Sequence, residues 1–169
     1  VGGVVFANTS LPGGNTVAST AAETNFTSNY TIPANECQPG RVYKVTAQGV
    51  WSNGGGGSNT LRFKAKLGST TIGDTGANGA AAGVTDEAWR MEFNLICQTT
   101  GGSGTIEAQG YLTGWDTVVS SLNWAMKNTG TVTIDTTTSQ TLQISVQHDS
   151  SSAGKSATLR QFIVEASGP

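Results

Sequence analysis

The sequence predicts an all-β fold, an antiparallel two-sheet jelly-roll sandwich of about eight strands, and three observations predict it. Charged residues make up only 12% of the 169, about half the usual share, and Gly, Thr, Ser and Asn fill the positions they leave. Thr and Val suit a pleated, half-buried surface while Gly, Asn and Ser suit turns, so helix is expected to be scarce. Short apolar rows of period two recur along the chain between turn-rich stretches, as in a sandwich or barrel, and no strand-then-helix alternation appears. The length is that of one domain with one core.

The first 22 residues carry scattered apolar side chains without a period and contain Pro12-Gly13-Gly14, so residues 1–22 read as a flexible arm and 23–169 as the folded domain. The first strand is expected over Asn25 to Ile32, ended by Pro33. The second covers Arg41 to Trp51, with Tyr43, Val45, Ala47 and Trp51 on one face. After the tetraglycine Gly54 to Gly57, the residues Leu61, Phe63, Ala65 and Leu67 alternate with Arg62, Lys64 and Lys66. That alternation places apolar groups inward and a basic stripe outward.

A short strand at Thr70 to Ile72 and a Gly/Ala-rich loop lead to the longest apolar row, Trp89, Met91, Phe93, Leu95 and Cys97, which should be a central strand. The turn Gly101 to Gly104 joins it to Ile106, Ala108, Gly110 and Leu112, and the short connection implies an antiparallel hairpin. The segment Trp115 to Asn128 stays open, since Val118, Val119, Leu122 and Met126 have roughly helical spacing yet could equally lie in a long loop with a short strand. Val132 and Ile134 mark the next strand and Leu142, Ile144 and Val146 the one after. Leu159 to Val164 closes the series, apolar on both faces, as a strand inside a sheet or against another subunit would be.

Composition also excludes function classes. A formal net charge of −2 provides no general attraction to phosphate backbones, so no nucleic acid partner is expected. No apolar run nears the roughly 20 residues that span a bilayer, and VGGVVFANTS lacks the basic-then-apolar pattern of an export signal, so no membrane partner is expected either. Cys37 and Cys97 could be bonded, but a domain of this size needs no staple, and free buried thiols are the preferred reading. The sequons at Asn8, Asn25 and Asn29 are what chance yields in so Thr- and Ser-rich a chain.

No residue constellation points to catalysis, and no enzyme activity or cofactor is expected. His148 is the sole histidine and follows a strand row, where a satisfied polar position is the simpler role. Ala153-Gly154-Lys155-Ser156 echoes the end of a phosphate-binding loop, but Asp149 stands where that loop needs glycine and a strand follows where it needs a helix. One histidine and two distant cysteines cannot form a zinc tetrad, and Asp74, Asp86, Glu87, Asp116 and Asp135 lack the spacing of a calcium loop. Glu92 and Glu107 read as surface residues of adjacent strands and not as a cleft pair. Of the four tryptophans, Trp115 and Trp124 are the candidates for a contact surface. Arg62, Lys64 and Lys66, a stripe that Arg90 could extend, are candidates for an electrostatic contact.

Three stretches, LRFKAKLGSTTIGDTGA, AWRMEFNLICQTTGGSGTIEAQGYL and TGTVTIDTTTSQTLQISVQHDSSSAGKSATLRQFIVEA, together resemble virion proteins of tailed bacteriophages, a family of minor structural, head-decoration or cement proteins with related domains at fibre tips. The resemblance covers about residues 23 to 166. It implies a jelly roll that often trimerises on the outside of a capsid or at the end of a fibre. The first expectation is therefore a homotrimeric cement protein on the outer capsid surface, with the major capsid protein and itself as partners. The alternative is a receptor-binding fibre head that engages a host surface glycan. Candidate capsid or subunit contacts are Val4, Val5, Phe6 and Leu11 of the arm, with Trp115, Trp124 and Phe162.

Overall fold

The computed structural model describes residues 2–8, 15–54, 60–116, 120–126, 128 and 130–169, and among them there is no helix. The strands in chain order are β1 (Gly3–Asn8), β2 (Thr16–Ala18), β3 (Thr24–Ile32), β4 (Val42–Asn53), β5 (Thr60–Leu67), β6 (Thr70–Asp74), β7 (Asn78–Gly79), β8 (Val84–Thr99), β9 (Gly104–Asp116), β10 (Ser120–Met126), β11 (Val132–Ile134), β12 (Gln140–His148) and β13 (Lys155–Ser167). They form two antiparallel sheets packed as a sandwich. The larger runs β1-β13-β4-β8-β9-β10, with β11 also on β9 and β2 also on β13; the smaller runs β3-β12-β5-β6, with β7 on β5.

The core is built from the period-two rows. Leu61, Phe63, Ala65 and Leu67 of β5 face Trp89, Met91, Phe93, Leu95 and Cys97 of β8, all buried. The Trp89 ring bridges the sheets, 4.8 Å from Phe63 and 6.0 Å from Phe26 between ring centroids. Each such side chain removed from water contributes about 1.5–3 kcal/mol, so this layer holds the sheets together.

The apolar surplus on the last strand has a specific cause. Leu159 pairs with Gly49 and Gln161 with Gln48, which leaves Arg160 as the extra residue of a bulge. The bulge slips the period by one, so Ala157 and Leu159 before it and Phe162 and Val164 after it all point into the core. What reads as a strand greasy on both sides is largely one inner face interrupted by a phase change, with Ile163 alone among its large apolar residues on the outer side. Phe162 is fully buried there and is no contact residue.

Two other expectations need correction, and one segment left open is resolved. The expected arm contains two strands, for Gly3–Asn8 and Thr16–Ala18 both pair with β13. Phe6 packs on the core, with its ring 5.9 Å from Phe162 and 6.0 Å from Tyr30. The first is bulged between Val4 and Phe6 and the second is only three residues long, so no period is visible in them. The segment after Trp115 continues the sheet: β10 pairs with β9 from Ser120–Asp116 to Met126–Gly110, while Val118 and Val119 lie outside the described residues. Finally, Cys37 and Cys97 form a disulfide. Gly40 N donates to Cys97 O and Cys97 N to Arg41 O, both at 2.9 Å, so the loop before β4 lies along the end of β8. The bond ties down a loop that the core does not reach, and for that reason domain size was no guide to it.

Candidate functional site

The outer face of the larger sheet gathers the polar and aromatic residues left over once the core rows are satisfied. From Glu87 to Cys97 of β8 the inward residues are odd-numbered, so Ala88, Arg90, Glu92 and Asn94 point outward; on β9 the outward set is Gln109, Tyr111, Thr113 and Trp115. Trp115 is 54% exposed and Tyr111 46%. Both rings are therefore accessible to solvent on one surface.

Two grooves mark this face. One, of about 480 Å³, runs past Trp115, Arg90, Thr113, Gln48, Arg160 and Gln161, with the small Ala88 also lining it. The other, of about 700 Å³, is lined by Lys44, Glu92, Asn94, Gln109 and Tyr111. They meet at the Arg90–Glu92 ion pair. Tyr111 donates its hydroxyl to Glu92 Oε2 at 3.0 Å. Hydrogen bonds from Arg90 and then Tyr111 hold the Glu92 carboxyl below its ordinary range. From Gln109 to Trp115 the trough extends about 20 Å along the strands.

Close backbone packing shapes the face. A Cβ on Gly49 would lie 1.8 Å from Thr158 O, and one on Gly110 would lie 2.1 Å from Glu92 O. Only glycine allows neighbouring strands to approach so closely. The bulge in β13 adds the second device. Because Leu159 and Phe162 both point inward, the two intervening side chains, Arg160 and Gln161, both line the Trp115 groove. Gln48 Nε2 donates to Gln161 Oε1 at 2.5 Å and fixes that amide.

The residues singled out in the sequence do not come together. Trp115 is on this face, but Trp124 points inward from β10 and packs partly buried against the core. Val4 and Val5 are exposed on the edge strand β1, at 60% and 41%, and Leu11 lies outside the described residues. The basic stripe is on the opposite sheet and is neutralised within the fold. Arg62 pairs with Asp74, with Nε donating to Oδ1 at 2.8 Å, and Lys64 and Lys66 both pair with Glu23, the second at 2.8 Å. Three cations thus share two carboxylates, and little charge is left to attract a partner. Arg90 belongs to the other sheet and does not extend the stripe. Arg160, Gln161 and Tyr111 were missed; for Arg160 and Gln161 the sequence signal was a break of period at the bulge, and for Tyr111 it was its outward place in the alternation that buries Leu112.

The polar motifs have structural roles. His148 is buried beneath β2, and that burial pushes its imidazole pKa down. Lys155 turns its ammonium into the protein to pair with Asp149 and to donate to Ser150 Oγ at 2.9 Å, so it is no phosphate-loop lysine. Asp135 accepts from Thr137 N at 2.9 Å, and Asp116 from Ala81 N at 3.1 Å. No three metal-ligating side chains cluster among the described residues. Glu107 stands opposite Ile96 and Glu92 opposite Tyr111, about 13 Å apart along the strands.

No protein-family model matches the chain, and no curated protein sequence matches it. Among solved structures, the chain has a likeness to the CBM2 module of the evolved Dit of Lactobacillus casei BL23 phage J-1, with a TM-score of 0.35 and 9% identity, covering 81% of this chain and 67% of that one.

Proposed function

We propose that this chain is a surface domain of a tailed-bacteriophage particle that holds a host-envelope glycan on the outer face of its larger sheet. The observation that carries the reading is Trp115, an indole 54% exposed beside a groove whose other walls are Arg90, Thr113 and Gln161. An exposed ring is an apolar plate for the C–H face of a sugar, and the flanking guanidinium, hydroxyl and amide are hydrogen-bond groups for its hydroxyls. Placement on a virion rests on the sequence resemblance. The Cys37–Cys97 bond supports an oxidising, extracellular setting. The jelly-roll reading is supported by strand order: with β1, β3, β4, β5, β6, β8, β12 and β13 numbered one to eight, the sheets contain 1-8-3-6 and 2-7-4-5.

The role is binding without catalysis. Glu92 is engaged by Arg90 and Tyr111, and it stands too far from Glu107 for those two to act as an opposed pair in glycoside hydrolysis. The test is binding of purified host-envelope polysaccharide by Trp115→Ala against the parent chain. The expected result is a loss of at least about tenfold in affinity with an unaltered melting temperature. Equal binding by the two proteins would remove the site.

A capsid-cement role is favoured by a different observation, the outer edge of β1, which pairs with no further strand among the described residues and has Val4 and Val5 exposed. Such an edge can add a strand from another subunit. Electron cryomicroscopy of the particle separates the two readings: density over the capsid's threefold positions supports cement, and density only at the tail supports the glycan-binding head.

A further inference from the structure

We propose that the Trp115 groove is selective for an anionic saccharide, whose carboxylate or phosphate is taken by Arg160 and Arg90 while its ring lies on the Trp115 indole. This rests on the glycan reading above and adds the charge of the ligand.

The residues lining this groove include two arginines and no carboxylate. Arg90 is already paired with Glu92 at the boundary with the second groove. Arg160 is different. The chain has nine Lys and Arg residues, of which Lys127 lies outside the described residues. Among the described ones, Arg41, Lys44, Arg62, Lys64, Lys66, Arg90 and Lys155 each reach a carboxylate, and Arg160 alone does not. The fold pairs its other described cations and leaves Arg160 exposed on the groove that Trp115, the most exposed tryptophan, also lines.

Its position is also built. Arg160 is the unpaired residue of the β13 bulge, and bulges serve to re-aim a side chain. Without the bulge, Arg160 and Gln161 would point to opposite faces; with it, both line the groove. A guanidinium presents a planar fork of donors that matches carboxylate or phosphate oxygens bidentately. A neutral sugar would use that fork only in part. The chain as a whole is acidic, with net charge −2, so preference for a polyanion cannot arise from general attraction and has to come from a local site.

The experiment is calorimetric titration of the full chain with three polymers, polygalacturonate, poly(glycerol phosphate) and dextran, repeated with Arg160→Gln and Trp115→Ala. One or both acidic polymers should bind more tightly than dextran, with affinity falling as salt rises. Arg160→Gln should lower the acidic-to-neutral affinity ratio about tenfold, and Trp115→Ala should weaken binding of whichever polymers bind. Binding of polygalacturonate alone identifies a carboxylate ligand, and of poly(glycerol phosphate) alone a phosphate one. Dextran binding as tightly as the acids, or an unchanged ratio in Arg160→Gln, overturns the anionic preference and leaves the glycan reading standing. Binding of none of the three overturns both.

Discussion

Glu23 accepts a hydrogen bond from Lys66 at 2.8 Å, another from Lys64, and a third from the Ser145 hydroxyl at 3.0 Å. Partial burial alone would raise its carboxyl pKa, but these hydrogen bonds outweigh burial and hold it at about 2, against an ordinary 4.5. The folded value lies below the unfolded one, so the stabilisation is complete above about pH 4.5 and is lost as pH falls towards 2. Glu23→Gln should cost on the order of 1–3 kcal/mol near neutral pH, allowing for the solvent that still reaches the cluster. It should also flatten the pH dependence of urea unfolding between pH 4.5 and 2.5. A parental acid limb surviving in the variant would contradict the assignment.

Gly49 and Gly110 occupy positions where the neighbouring backbone fills the space of a side chain. Gly49→Ala or Gly110→Ala has to push strands apart at the centre of the larger sheet, and either should cost more than about 2 kcal/mol. Gly102→Ala, with nothing within 4 Å of its Cβ, is the control and should melt within a few degrees of the parent. Chemical unfolding of the three variants side by side checks the order.

The inner rows were legible in the sequence because a half-buried strand has to alternate. The rows on β4, β5, β8 and β12 fall where the pattern of Tyr43, Leu61, Trp89 and Leu142 places them. What escaped depends on partners distant in sequence. Lys64 and Lys66 read as a free basic stripe because Glu23 stands some forty residues earlier. Phe162 read as surplus because the bulge at Arg160 is set by its pairing with β4. The Trp115 groove was half legible, since the tryptophan stood out, whereas Arg160 and Tyr111 become neighbours of the same face only through sheet register.

Phe6 tests whether the N-terminal strand belongs to the fold. Its ring packs between Phe162 and Tyr30, and Asn8 Nδ2 donates to Ser28 Oγ at 3.3 Å. Phe6→Ala should destabilise by about 1–2 kcal/mol, less than a fully buried phenylalanine would. It should also speed hydrogen exchange of the β13 amides from Phe162 to Ala166. A dangling arm would show neither effect.

The disulfide joins Cys37 to Cys97 across 60 residues that include β4, β5 and most of β8. Closing a loop of that length restricts the unfolded chain by about 4 kcal/mol on the chain-entropy model, and measured values usually fall below it. Reduction, or the double change Cys37→Ser and Cys97→Ser, should lower unfolding free energy by about 2–4 kcal/mol. The Trp115 groove should survive, because the bond lies at the far end of β8 from Trp89 and its outward neighbours Ala88 and Arg90. Urea unfolding with and without reductant, read beside glycan binding at a temperature where both forms are folded, separates the two quantities. A loss of binding in the folded, reduced protein would mean that the disulfide positions the site as well as the loop.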